Sequence, residues 1–504
     1  MAKTIMLQGT SSHVGKSILA TALCRIFFQD GLRVVPFKAQ NMALNSYVTK
    51  AGGEMGRAQV AQAEAAGLEP TVEMNPVLLK PTGNSTSQVV VMGRPVKVMS
   101  AGEYHHGYNK ELLGVIETSL RKLQAEYDMV VIEGAGSPAE VNLKDNDIVN
   151  MRIAKMAGAP VLLIADIDRG GALAAVVGTL ELLEPEERDL VKGIIINKFR
   201  GDRKLLEPAL DFLQAKTGKP VVGVVPHISQ LGIDEEDSVS LDEKVSEEGD
   251  IEIVVLRTPR ISNFTDFDAL ANEAGVSLTY IRQGEAIGRP DMVILPGTKN
   301  TVEDFLYLKA QGYDRDIIRL AAQGTPVIGI CGGYQMLGRE LRDPEHNESD
   351  LEYTEGLGLL DIATTFTKEK TTHQVTAVCL AGDFLDMGYN GSVTGYEIHM
   401  GRTESAAEVK RAFTVTERSG RTVADEDGVL RSDGLILGTY IHGIFDNDDF
   451  RQALLNALRK RKGLPERAVQ NVAARKEASY NKLAEAVRSN LDMPYLYRII
   501  GDVC

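Results

Sequence analysis

Two stretches of the chain carry side chains whose type and spacing point to covalent chemistry. In Gly329-Ile330-Cys331-Gly332-Gly333-Tyr334-Gln335 a cysteine follows the short apolar run Pro326–Ile330 and precedes apolar positions at helical spacing over 335–341. That pattern predicts a buried strand, a tight turn and a helix. A cysteine at such a corner exposes its sulfur, and a helix N-terminus favours thiolate there and offers N–H groups to an oxyanion. Far downstream His442 closes a second strand pattern, Leu435–Ile441. Taken singly, a cysteine is more often packed in a core and a histidine more often structural. A cysteine and a histidine each at a strand end of one α/β unit raise the odds of a thiolate–imidazole pair, in which Cys331 is the expected nucleophile and His442 the expected base. The strand Asp291–Leu295 delivers Pro296-Gly297-Thr298, so the oxyanion donors are expected among the backbone N–H groups of Gly297, Thr298 and Gly332.

The second stretch is Gly9-Thr10-Ser11-Ser12-His13-Val14-Gly15-Lys16-Ser17, between the strand pattern Thr4–Gln8 and the helical pattern Ile18–Phe27. Strand, glycine loop and helix together form a phosphate cradle, in which successive N–H groups wrap the phosphates. Gly9, Thr10, Gly15, Lys16 and Ser17 are the expected ATP contacts, Lys16 neutralising charge and the Ser17 hydroxyl facing Mg²⁺. The first glycine stands one residue further from Gly-Lys-Ser than in the common pattern.

These residues need elements to position them. In the first half, apolar strands at 33–37, 129–132, 160–165, 193–196 and 221–225 alternate with helical patterns, one of them Glu54–Ala66. The alternation predicts a doubly wound parallel sheet with its ligands at the strands' carboxyl ends. Lys16, Lys38, Glu133, Asp166, Asp168 and Asn197 fall along that rim. Glu133 is the expected magnesium-side carboxylate. Asp166 and Asp168 are open to three roles: metal binding, positioning of a substrate, or capping the next helix. Asn197 reads a nucleotide base or makes an ordinary strand-end turn.

Composition sets the frame. A chain of 504 residues exceeds one core, and 43% hydrophobic with 25% charged residues is ordinary for folded domains. A net charge of −15 argues against nucleic-acid binding. No apolar run approaches membrane-spanning length, no signal peptide is expected, and Cys24, Cys331, Cys379 and Cys504 lack metal-type pairing. A cytoplasmic, reduced protein is expected. Residues 231–250 turn acidic and lose their apolar period, so the expected units are an ATP-binding domain over 1–230, a linker over 231–250, a second α/β domain over 251–448 and a helical segment over 449–504. Oligomeric state is open.

Together the segments LQGTSSHVGKS, PFKAQNMALNS, EGAGSPAEVNL, ADIDRGGA, INKFRGD, PRISNFTDFDAL, GICGGYQMLG, GYEIHMGRT and YIHGIF resemble the cobyric acid synthase family of cobalamin biosynthesis. KAQNMALNS and RISNFTDFDAL favour that family over the sister cobyrinate diamide synthases. The resemblance implies a dethiobiotin synthetase-like P-loop domain and a glutaminase domain of the triad type. It implies MgATP-dependent amidation of the b, d, e and g carboxylates of an adenosylated a,c-diamide corrinoid, with L-glutamine as nitrogen donor. On this reading Lys38, Asp166, Asp168 and Arg169 face the corrinoid, which no histidine of the chain ligates at cobalt. Triad glutaminases carry a glutamate two positions after the histidine; Ile444 stands there, leaving Glu397 and Asp446 as candidate orienting carboxylates, or a dyad. The rival readings are another amidoligase on the same plan and a partition-type ATPase switch with an inactive glutaminase-like tail.

Overall fold

The computed structural model describes residues 2–82, 85–228, 231–233, 241, 248–406 and 408–501. Most of the expected linker, 234–240 and 242–247, and Cys504 lie outside them. The six apolar strands of the first half form one parallel sheet in the order Val221–Pro226, Val191–Phe199, Val161–Asp166, Lys3–Gly9, Met129–Glu133, Val34–Phe37. Their near-continuous burial reflects helices on both faces, beginning with Lys16–Gln29. Two features depart from the sequence reading. Glu54–Gly56 is a strand paired with Ser46–Val48, and the helix begins only at Arg57 and runs to Ala65. Val77–Pro81, Thr86–Val91 and Arg94–Ser100 form an antiparallel ribbon, and the first of these strands also pairs with Gln40–Met42.

The second half builds an 11-stranded sheet. Its parallel part runs Val276–Ile281, Ile251–Leu256, Met292–Leu295, Val327–Ile330, Ile436–Thr439. From the last strand the sheet continues antiparallel through Arg421–Leu430, Lys410–Arg418 and Ile362–Cys379, the last also pairing with Ser392–Ser405. The helix after Cys331 spans only Gly332–Met336, and Glu340–Arg342 is a strand. Apolar spacing over 335–341 misleads because those side chains serve two successive elements buried in one core.

The C-terminal helices do not stay with the second domain. Val472–Arg488 crosses back and lays Leu483, Ala484 and Val487 against the core beneath the Lys16–Gln29 helix. Tyr480 donates to Glu64 (2.7 Å), and Asp492 N donates to Val222 O (2.7 Å). At the start of this return, fully buried Arg451 donates to Glu273 (2.9 Å), Asp448 (2.9 Å) and the carbonyls of Phe445 and Gln470. Removing one partner of a buried pair leaves an uncompensated charge. Arg451→Met is expected to lower the unfolding free energy by about 3–5 kcal/mol, read as a shift of the urea midpoint.

Candidate functional site

Cys331 sits at the carboxyl end of Val327–Ile330 with φ 51° and ψ −108°, a conformation that β-carbon sterics disfavour. The surroundings hold it there: its N–H donates to Thr439 O (2.8 Å), its carbonyl accepts from Gln335 N (3.0 Å), and Gly333 N donates to Pro296 O (3.0 Å). Glycine is required at 333, because a Cβ would lie 2.0 Å from Leu295 O. A Cβ at 332 would come within 3.2 Å of Thr298 N, so these two backbones face each other beside the sulfur. The Thr298 turn is pinned by its hydroxyl, which donates to Asp304 (2.5 Å) and lies 3.1 Å from Arg260 O. Gly297 lies against the imidazole, a Cβ there falling 2.8 Å from His442 Cε1. Gly297, Thr298 and Gly332 thus gather around Cys331.

His442 is buried and stacked on Tyr396 at 5.1 Å. Its Nδ1 bonds Asp266 Oδ2 at 2.6 Å, and the other oxygen of Asp266 accepts Gly443 N at 3.0 Å. Nε2 has no hydrogen-bond partner among the described residues; Cys331 acts on the ring's charge, while its thiol donates to Ile398 O at 3.5 Å. Burial opposes charge on this imidazole, but Asp266 and Cys331 outweigh it and raise its pKa to about 10. Neither carboxylate expected from the sequence orients the ring. Tyr396 pairs with His442 across the backbone, so Glu397, next along the strand, points to the opposite face, where Arg418 binds it at 2.8 and 3.1 Å. Asp446 lies on the turn past Gly443, and Nδ1 is already taken by Asp266. His399, stacked on Tyr440 at 3.7 Å, is pushed down to about 4 by burial and stays neutral at pH 7.

Asp266 comes from the polar segment 259–270, which forms a 3₁₀ turn over Phe264–Phe267 and a short helix over Asp268–Ala271. A reciprocal clasp with the first domain holds that segment. Asn263, at φ 54°, accepts Ser46 N (3.0 Å), and Asn45 accepts Phe264 N (2.9 Å). The two stretches that set this sequence apart, KAQNMALNS and RISNFTDFDAL, therefore meet.

The phosphate loop forms the other centre. Gly15, at φ 94°, packs so closely on Asn197 that a Cβ would lie 2.2 Å from its amide nitrogen. Asn197 donates to Val14 O (2.8 Å), so its amide holds the loop. Lys16 donates to Ser11 O and Gly136 O, both 3.0 Å, and burial lowers its pKa to about 8. Gly9 and Thr10 anchor the loop's start, a Cβ at 9 meeting Lys16 Nζ at 3.0 Å and Thr10 N donating to Ile164 O. Glu133 is 1% exposed and receives Ser17 Oγ (2.8 Å), Lys38 Nζ (2.8 Å) and Gln62 Nε2 (2.6 Å). Burial alone would raise its carboxyl; Lys38, Gln62 and Ser17 hold it below the usual range. Lys38, expected at the corrinoid, is thus buried on Glu133. Asp166 pairs with Lys198 (3.0 Å) and Asp168 with Arg200 (3.3 Å), while Arg169 is exposed. Neither aspartate caps the next helix, which starts after Gly171. The Ser17 hydroxyl and Glu133 carboxylate make an oxygen pair suited to Mg²⁺, although no cluster of three metal-ligating acidic, His or Cys side chains occurs among the described residues. No helix among them is long and apolar enough to cross a membrane.

Two family models match the chain: a CobQ/CobB/MinD/ParA nucleotide binding domain over residues 5–240 and a CobB/CobQ-like glutamine amidotransferase domain over residues 252–450. The cobyric acid synthase of Pelotomaculum thermopropionicum is 60% identical over 99% of this chain and 97% of its own length. Those of Moorella thermoacetica and Desulforamulus reducens are 57% and 54% identical, each over 99% of this chain and 98% of the relative.

Asp266→Asn removes the charge that raises His442, so burial should then dominate and the imidazole pKa fall below about 10, as followed by NMR titration. In the wild type, a folded pKa of about 10 against an ordinary 6.5 stabilises the fold fully below pH 6.5. That contribution is lost as pH rises through 10, and Asp266→Asn should flatten this stretch of the stability profile.

Proposed function

The chain belongs to the cobyric acid synthase family, and from that premise we propose that it amidates the b, d, e and g carboxylates of adenosylcobyrinic acid a,c-diamide, using MgATP and L-glutamine. The observation that carries the reading is one chain holding a Cys331–His442–Asp266 array and a Lys16–Ser17–Glu133 phosphate cradle, joined through the Asn45–Asn263 clasp. Neither a nucleotide switch nor an unaided glutaminase requires both.

Each half has its own chemistry. A carboxylate is a poor electrophile, so the first domain transfers the γ-phosphoryl group of ATP to it and forms an acyl phosphate. Lys16 and the loop N–H groups hold the phosphates, and Asn197 keeps the loop in shape. Ser17 and Glu133 are the residues that would hold Mg²⁺, which when bound would neutralise charge on the phosphoryl oxygens. Rim residues Asp166, Asp168 and Arg169 are assigned to the corrinoid side. In the second domain the Cys331 sulfur attacks the side-chain amide of glutamine, and the Gly332 and Thr298 N–H groups meet the oxyanion beside Gly297. His442 hands its Nε2 proton to the departing ammonia, then takes one from the water that cleaves the thioester. Asp266 fixes the tautomer through Nδ1 and stabilises the imidazolium. Ammonia, unprotonated, passes inside the protein to the acyl phosphate.

Two sets of variants test this. Cys331→Ala should lower glutamine-driven amidation by about 10³-fold or more and leave ammonium-driven amidation within about twofold, whereas Lys16→Ala should abolish both. Product is read by chromatography of the corrinoid. Wild-type enzyme that hydrolyses ATP but amidates no corrinoid with either donor overturns the substrate assignment. Arg169→Glu should raise the corrinoid KM and spare glutaminase turnover; an unchanged KM removes Arg169 from the corrinoid site.

A further inference from the structure

The cleft over Cys331 is not built by the second domain alone. Beside Thr298, Gln335 and His399 it is lined by Lys370 and by Lys80, and Lys80 belongs to the first domain's strand Val77–Pro81. Both lysines converge on Glu54, which is fully buried: Lys80 Nζ lies 2.5 Å from one oxygen and Lys370 Nζ 2.5 Å from the other. Lys80 also donates to Ser46 Oγ (2.9 Å) and Lys370 to Gln88 (3.2 Å). An ammonium carries three N–H groups, so each lysine has one beyond these two acceptors. With Lys299 and Glu348 also lining the cleft, its wall sets three lysines against two carboxylates, Glu54 and Glu348, and so keeps an excess of positive charge. Burial lowers Lys370 to about 7 against the pull of Glu54, with Lys80 and Lys299 adding repulsion. An anion entering the cleft would relieve all three.

Glutamine brings such an anion. We propose that Lys80 and Lys370, clamped by Glu54, hold the α-carboxylate of glutamine over Cys331, so that the glutaminase site is composite and is completed by the first domain. This rests on the glutaminase reading above and adds a consequence to it. The strand bearing Glu54 runs directly into the helix Arg57–Ala65, whose Gln59 and Gln62 reach Glu133 at 3.4 and 2.6 Å. One short rigid element therefore touches the glutamine grip at one end and the phosphate cradle at the other. Glutamine is gripped only when the two domains are docked, which keeps nitrogen release tied to the amidating partner.

The test uses full-length Lys80→Met and Lys370→Met, each of which leaves Glu54 one lysine, with Lys370→Arg as conservative rescue. Glutaminase kinetics are compared for glutamine and for 4-aminobutanamide, which is glutamine without its α-carboxylate. The wild type should prefer glutamine by about 10²-fold or more in kcat/KM. In each Met variant the glutamine KM should rise about 10- to 100-fold with kcat within about threefold, and the preference should shrink to within about threefold. Lys370→Arg should restore it, and ammonium-driven amidation should stay at the wild-type level in all three. A Met variant that keeps the wild-type preference ratio, whatever its absolute rate, overturns the proposal and leaves the lysines as a domain fastener. A variant that also loses ammonium-driven amidation has lost its fold; the other lysine then decides, its ratio either collapsing in support of the grip or holding against it. Glutamine hydrolysis surviving in Cys331→Ala would instead strike the glutaminase reading itself.

Discussion

A carboxylate withdrawn from water must be met by positive charge or N–H donors, and three such groups hold this molecule's working parts together. Glu133, Glu54 and Asp266 are each at most 3% exposed. Glu133 is met by Lys38, Gln62 and Ser17, Glu54 by Lys80 and Lys370, and Asp266 by His442 and the Gly443 N–H. Leaving any of them unmatched would cost several kcal/mol, so each partner is fixed in place by the demand for its charge. The first gathers the phosphate cradle, the second joins the domains, and the third orients the imidazole.

The three are linked along the backbone. Residues 45–62 begin at the Asn45–Asn263 clasp, pass through the Glu54 triad and end at Gln62 on Glu133. The clasp lies three residues from Asp266, and strand pairing with a short helix keeps the run stiff. Two centres at the carboxyl ends of two separate sheets are thus tied by one continuous piece of the first domain. The returning helix Val472–Arg488, packed on the Lys16–Gln29 helix, makes a second tie at the far side.

Backbone strain falls where chemistry needs it. Cys331 is held at φ 51° at the end of its strand, and the cost is met by the backbone bonds with Thr439, Gln335 and Pro296 around the turn. The loop at Gly15 has the same logic without a β-carbon, since Asn197 fills the space a side chain would need.

Much of this was legible in the residues themselves. Strands that are apolar throughout, glycine loops at their ends and the Gly-Lys-Ser run declare a parallel sheet and a phosphate site, because buried strands and tight turns restrict composition locally. Cys331 and His442 were legible for the same reason, each standing at a recognisable strand end. Asp266 was not: its bond to His442 spans 176 positions, and no spacing rule links a 3₁₀ turn to a distant strand terminus. Glu397, nearer to His442 in sequence, lost the role because strand alternation turned it toward Arg418. Nor did composition mark Lys80, Glu54 and Lys370 as one group, for their meeting depends on how two domains dock. Local chemistry is written in neighbouring residues; the pairing of buried charges across the chain is decided only when the tertiary structure shuts out water.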